Sequence, residues 1–254
     1  MRTLSFTGER QLRYPAPDVA RGFMLALIAL ANVPFWLRYF PEAPHAGHAA
    51  LAAMGSADQW WYLARTLFVD RRAYPLFSIL FGFGMAIMAS RTMERERRAV
   101  METFTAEEVA GWHPVQRQIL EENVERYARR TASRLIRRRG WWMLAFGLVH
   151  AVFFAGDIIG AYGLVAVIFA EVIVMTRAWL RVLVGVLIGS LSLLGIWSMA
   201  AFVGREPMML EFHDPTSLDA GYPLVSVASW LIATPMTVLT ALVVPCVMIG
   251  VGVA

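Results

Sequence analysis

The sequence predicts an all-α fold: a polytopic transmembrane helical bundle of about six spans, N-terminus cytoplasmic, with a short outer interfacial helix and a charged cytoplasmic helical loop. Three observations carry that expectation. The 254 residues are 58% hydrophobic and 17% charged, against roughly 45–50% and about 25% in soluble domains. The apolar residues gather into long runs, and a crossing helix needs about 20 of them. All 23 basic residues are arginine, and most lie between particular runs. Cys246 is the single cysteine, which excludes a disulfide framework and gives no metal site. The opening Met1–Leu12 lacks the short apolar stretch and small-residue cleavage site of a removable signal peptide.

The elements follow in order. Residues 1–21 form a cytoplasmic N-terminal segment, and 22–90 hold spans one and two with an outer loop and the interfacial helix. The first charge-free run is 22–37, extending to about Phe40; the second is 73–90. Between them, 58–72 is too short and too charged to cross, so Trp60, Trp61 and Tyr62 are expected at headgroup level. Residues 91–139 are an arginine-rich cytoplasmic loop with eight glutamates, one or two mixed-charge helices, and Thr105-Ala-Glu-Glu is a candidate capped start. Residues 140–254 carry spans three to six. Runs 140–156 and 158–176 are parted by Gly156-Asp157, the fifth is 182–204, and the last lies at about 228–254, with Pro235 and Pro245 as candidate kinks.

Arginine placement sets the orientation. Of the 23, 18 precede span one, lie in 91–139, or follow span four as Arg177 and Arg181. By the positive-inside rule these regions are cytoplasmic. The pI of about 9.6 therefore reflects topology and contact with anionic lipid. No aromatic interleaving accompanies the charge, so no nucleic-acid partner is expected. The expected setting is the cell (plasma) membrane, multi-pass, with the lipid bilayer as partner; a homodimer is compatible with the sequence.

Polar groups at membrane depth are functional candidates by default because burying them is costly. Asp18 and Arg21 stand at the inner edge of span one, three residues apart and able to pair; the plainer reading is a topology anchor. Asn32 lies about three turns beyond Arg21 on the same face, and a simple interhelical hydrogen bond is its alternative. His150 and Asp157 are two turns apart. A His with a carboxylate neighbour can act as general base or proton relay; alternatively Asp157 caps the following helix while His150 packs. Glu171 is expected at the cytoplasmic interface or paired with Arg177. His45 and His48 in the outer loop lack an evident third metal ligand, and His213-Asp214 reads the same way. Gly82-Phe-Gly84 sits mid-span, where small residues allow close helix approach.

At these residues the sequence resembles the YeiB-like bacterial membrane proteins. Three segments carry the likeness: Asp18-Val-Ala-Arg21-Gly22-Phe23 through Asn32; Pro75-Leu-Phe77-Ser78-Ile-Leu-Phe81-Gly82-Phe-Gly84; and Arg137–Arg139 leading to Gly147-Leu-Val-His150 and Gly156-Asp157-Ile-Ile-Gly-Ala-Tyr162-Gly163-Leu164. Together they span about residues 13–170. That family is grouped with transmembrane acyltransferases that include the lysosomal heparan-alpha-glucosaminide N-acetyltransferase. The grouping implies cytoplasmic acyl-CoA as donor, no tightly bound cofactor, and an envelope glycan or lipid acceptor beyond the membrane. It implies His150, Asp157 and Asn32 as catalytic, with Arg21, Asp18, Tyr162, Ser78 and His45 binding substrate. The base is carried by His45 or His150. The resembled proteins continue for several helices beyond the position of Ala254, so the sequence is expected to be a truncated product or an incomplete gene.

Three functions compete on this reading: an acyl-CoA-dependent O- or N-acyltransferase, a transporter or permease-like protein with the same polar residues lining a path, and an inactive truncated scaffold.

Overall fold

The computed structural model describes residues 16–37, 55–69, 73–153, 157–175, 177–202 and 222–254. Every regular element among them is an α-helix. The chain divides into two compact units, Met1–Tyr74 and Pro75–Ala254.

The first unit holds α1 (Ala16–Leu37) and α2 (Ser56–Phe68). Asp18 sits in the first turn of α1, where a carboxylate faces the positive end of the helix dipole. Within α2, Trp60, Trp61, Leu63, Leu67 and Phe68 are exposed, and the Arg65 guanidinium lies 5.7 Å from the Tyr62 ring centroid. The predicted interfacial segment is thus helical, with an uncovered aromatic surface within its unit.

The second unit starts in α3 (Ala73–Met101) and continues with α4 (Ala106–Ala110) and α5 (Pro114–Phe153). The expected charged loop 91–139 is largely the extension of two long helices. Nothing after Gly84 breaks α3, and Glu94 accepts from Arg98 Nε at 2.7 Å one turn on. Pro114 opens α5 at the position where a missing N–H costs nothing, and its 40 residues reach about 60 Å at 1.5 Å per residue. Glu125 ties the arms together, accepting from Arg97 of α3 and, at 2.7 Å, from Arg129 of α5. The turn is closed by Phe104 edge-on to Trp112, centroids 4.9 Å apart.

Beyond Phe153 the chain forms α6 (Ile159–Ile168), α7 (Ala170–Val174), α8 (Ala178–Phe202), α9 (Tyr222–Thr240) and α10 (Val243–Val253). Two boundaries differ from expectation. The fourth run is split at Phe169 into α6 and the short α7. The last begins at Tyr222, six residues before the expected 228, because Pro223 fits a first turn. Of the two prolines in that run, Pro235 stays inside α9, whereas Pro245 coincides with a break. A Pro ring collides with the carbonyl four residues back, here Ala241. The chain responds at Leu242, in the left-handed region at φ 56°, and α9 and α10 meet at a 56° bend.

The core is built by small residues on long helices. Val124, Ala128, Ala132, Ile136 and Gly140 recur every fourth residue on the buried face of α5, against which Tyr162, Val165 and Ala166 of α6 pack. A Cβ on Gly82 would fall on the Val247 carbonyl, so α3 and α10 cross with their backbones in contact, as the mid-span glycine predicted.

Helices cover most of the described residues of each of the six predicted runs. Among the described residues, two helices are long and apolar enough to cross a membrane, α3 and Ala178–Ser198 of α8, or three if the bent pair is one span. The protein is a membrane-associated helical bundle.

The predicted cap at Thr105 is present as a complete capping box: Glu108 N–H donates to the Thr105 hydroxyl at 3.2 Å, while the Thr105 N–H donates to Glu108 Oε2 at 2.7 Å. The backbone N–H and hydroxyl of Thr105 hold the Glu108 carboxyl below its ordinary value of 4.5. A carboxyl lowered in the folded state contributes stability above its unfolded value, and that contribution is lost as pH falls through the folded one. A carbon-13 carboxyl titration should place the Glu108 midpoint below 4.5, and Thr105→Ala should raise it; equal midpoints would refute the cap.

Candidate functional site

The sequence candidates fall in three places. His45, with His48, Glu42, His213 and Asp214, lies outside the described residues. Asp18, Arg21 and Asn32 belong to the first unit. The predicted pair forms, with Arg21 Nη1 donating to Asp18 Oδ1 at 3.1 Å on an exposed helix face. Asn32 Nδ2 donates to the Ile28 carbonyl of its own helix at 2.9 Å.

His150, Asp157, Ser78 and Tyr162 belong to the second unit, where they form two separate pairs, Ser78–Tyr162 buried and His150–Asp157 partly so. Ser78 Oγ and Tyr162 Oη are 3.0 Å apart, and the Tyr162 ring sits between Phe77 and Phe81 at 5.3 and 5.1 Å. A tyrosine can be buried among apolar rings only when its hydroxyl finds a partner, and Ser78 on α3 supplies one.

The His150–Asp157 pair is the chemical centre. His150 stands in the last turn of α5, and Asp157 just precedes α6. Asp157 both caps the following helix and pairs with His150. As a cap, Asp157 Oδ2 accepts from Gly160 N–H at 2.8 Å and Oδ1 from Ile159 N–H at 3.2 Å. As a partner, Oδ1 also lies 2.8 Å from His150 Nδ1. The Asp157 side chain is fully buried, whereas that of His150 is 41% exposed. A buried carboxylate is tolerated when its lone pairs meet donors, and here the start of α6 adds the favourable end of a helix dipole. A carboxylate only accepts, so Nδ1 carries the proton and Nε2 is the basic nitrogen.

One member of the site was missed. Trp230 of α9 donates its indole N–H to Asp157 Oδ2 at 2.8 Å, and one turn earlier Ser226 donates to the Ala151 carbonyl. In the sequence Trp230 stands in an uncharged run, where a tryptophan reads as core or headgroup belt; the only available signal was that a buried indole N–H needs an acceptor. Glu171 also differs from expectation: it pairs with Arg137 at 3.0 Å and accepts from Ser133 at 2.7 Å. These two lie one turn apart on α5, on the face that α6 and α7 pack against.

Close approach of α5 and α6 makes the site compact. A Cβ at Gly147 would lie 2.6 Å from Gly160 N and 2.8 Å from Asp157 Oδ2. Gly147→Val should therefore destabilise the protein by roughly 1–3 kcal/mol through overpacking, read as a lowered thermal midpoint in detergent. Gly195→Ala, where a Cβ meets nothing within 4 Å, should leave the midpoint almost unmoved, and equal behaviour of the two would count against this packing. Comparison of the chain with protein-family profiles, curated proteins and solved structures finds no match.

Proposed function

We propose that the chain is a multi-pass protein of the cell membrane that transfers an acyl group from cytoplasmic acyl-CoA to an envelope glycan or lipid acceptor on the far side. The single observation that carries the chemistry is the half-exposed His150 imidazole held through Nδ1 by a fully buried Asp157 carboxylate. A base whose ring is oriented by a second group is the arrangement that activates hydroxyl or amine nucleophiles. The likeness to YeiB-like proteins in the segments around Arg21, Ser78 and His150 supports the same reading.

In this mechanism Nε2 of His150 removes the proton from the acceptor hydroxyl or amine. The acceptor attacks the thioester carbonyl, a carbon–oxygen or carbon–nitrogen bond forms, and the carbon–sulfur bond breaks. The proton held by His150 then passes to the departing thiolate. Asp157 keeps the ring in one tautomer and balances the imidazolium. Arg21, paired with Asp18, is the candidate for donor phosphates, Asn32 for placing the acyl group, and Tyr162 and Ser78 line the substrate path.

Six spans with the N-terminus inside fit the arginine bias, since 18 of 23 fall on one predicted side. In cells, a cysteine engineered into the turn between α3 and α5 should react with a membrane-impermeant thiol reagent only after lysis. Labelling of intact cells would reverse the orientation.

A second reading, a structural clasp, is favoured by the three bonds Asp157 makes to groups other than His150. Labelled acyl-CoA and envelope extract separate the two. His150→Ala should keep the fold and acyl-CoA binding while transfer falls about 10²–10⁴-fold, the usual worth of a general base. Wild-type protein that binds no acyl-CoA and transfers no label would leave the clasp.

A further inference from the structure

We infer that Trp230 is the positioning residue of the His150–Asp157 pair: its indole N–H, beyond the bulk of its ring, fixes the plane in which the Asp157 carboxylate meets the imidazole. The inference rests on the reading of His150 as the base.

A carboxylate offers two oxygens with about two acceptor positions each. Oδ2 of Asp157 is filled, taking Gly160 N–H and Trp230 Nε1–H, both at 2.8 Å. Oδ1 takes only the longer Ile159 N–H at 3.2 Å, which leaves its strong position for His150 Nδ1 at 2.8 Å. The carboxyl torsion of an aspartate is broad, so a backbone cap alone does not fix the plane in which an oxygen meets the ring. The indole supplies the missing constraint from a different helix.

The indole is itself fixed. A Cβ on Gly160 would lie 2.5 Å from its Cζ2 atom, so the ring rests directly on the α6 backbone. Ser226, one turn before it on α9, is anchored to the Ala151 carbonyl beside His150. The ring is 8% exposed as part of its residue, so water does not substitute for its N–H. The consequence is a chain of orientation that runs from α9 through Trp230 and Asp157 to one tautomer of His150.

The test uses the full chain in detergent, labelled with nitrogen-15 histidine, with the His150 signals identified by their absence from His150→Gln. Wild type should show a His150 proton on Nδ1 in place of Nε2. Trp230→Phe keeps most of the ring and removes the N–H; it should lose the Nδ1–H correlation and show a mixture of tautomers at a nearly unchanged thermal midpoint. A wild-type correlation in folded Trp230→Phe overturns the proposal. Should that variant not fold, Gly160→Ala, whose Cβ would lie 2.5 Å from Trp230 Cζ2 and 2.9 Å from Asp157 Oδ2, is expected to lose the same correlation. In wild type alone, a Trp230 indole proton exchanging with solvent as fast as that of Trp112 also overturns it. Because the readout is spectroscopic, it survives a failure of acyl transfer: wild-type protein that transfers no label, together with the expected tautomer change in Trp230→Phe, would refute the reaction and retain the positioning.

Discussion

The second unit is organised around one buried charge. Asp157 has no side-chain exposure, and its carboxylate stands in a bundle made mostly of apolar side chains. Leaving such a group without donors would cost several kcal/mol. Four donors from three helices prevent this: His150 at the end of α5, the Ile159 and Gly160 amides that start α6, and the Trp230 indole of α9. Meeting that requirement fixes much else. α6 must run along α5, the amides at its start must face the carboxylate, and α9 must approach near enough for an indole to reach it.

Small residues make that approach feasible. Where α5 meets α6, Gly147 faces the Gly160 backbone with no room for a Cβ. Further along α5, Ala128 and Ala132 are fully buried, continuing a face that admits α6 and α7 closely. In an apolar environment the drive for helices to pack comes from dispersion contacts and hydrogen bonds more than from expelling water, so backbone proximity and a few polar clasps do most of the joining. The Ser78–Tyr162 and Ser133–Glu171–Arg137 contacts belong to this set. Each joins two segments far apart in sequence, and each sits on a helix face whose neighbours are small or apolar.

Much of this was legible in the sequence, for definite reasons. Uninterrupted apolar runs located the helices, and the Gly156-Asp157 break between two of them marked Asp157 as a candidate cap two turns from His150. The Thr105 cap was legible because a capping box is local, needing only residues three apart. What was hidden is what depends on distant chain segments. Trp230 could not be assigned to Asp157, since nothing near it marks the acceptor. Glu171 looked closest to Arg177 along the chain, but its helix ends at Val174, with Met175 extended at ψ 135°, and Arg137 of α5 is its partner. The Pro245 break was legible as a kink; that Leu242 would absorb it with a left-handed φ was not, since the sequence there carries no glycine.

The two oxygens of Asp157 also divide the site's labours, which bears on how it is to be read. Oδ2 is committed to structure, bonded to the α6 backbone and to α9, and neither bond involves a group that moves a proton in the proposed reaction. Oδ1 faces the one titratable partner. A carboxylate anchored at one oxygen can hold an imidazole at the other without rearranging as charge develops on the ring, which is the preorganisation that favours proton transfer. The capping and catalytic readings of this residue are therefore compatible, the first being the physical condition for the second. It also follows that replacing Asp157 disturbs both, whereas His150, bonded to Oδ1 and 41% exposed, can be altered with the structural half of the carboxylate left in place.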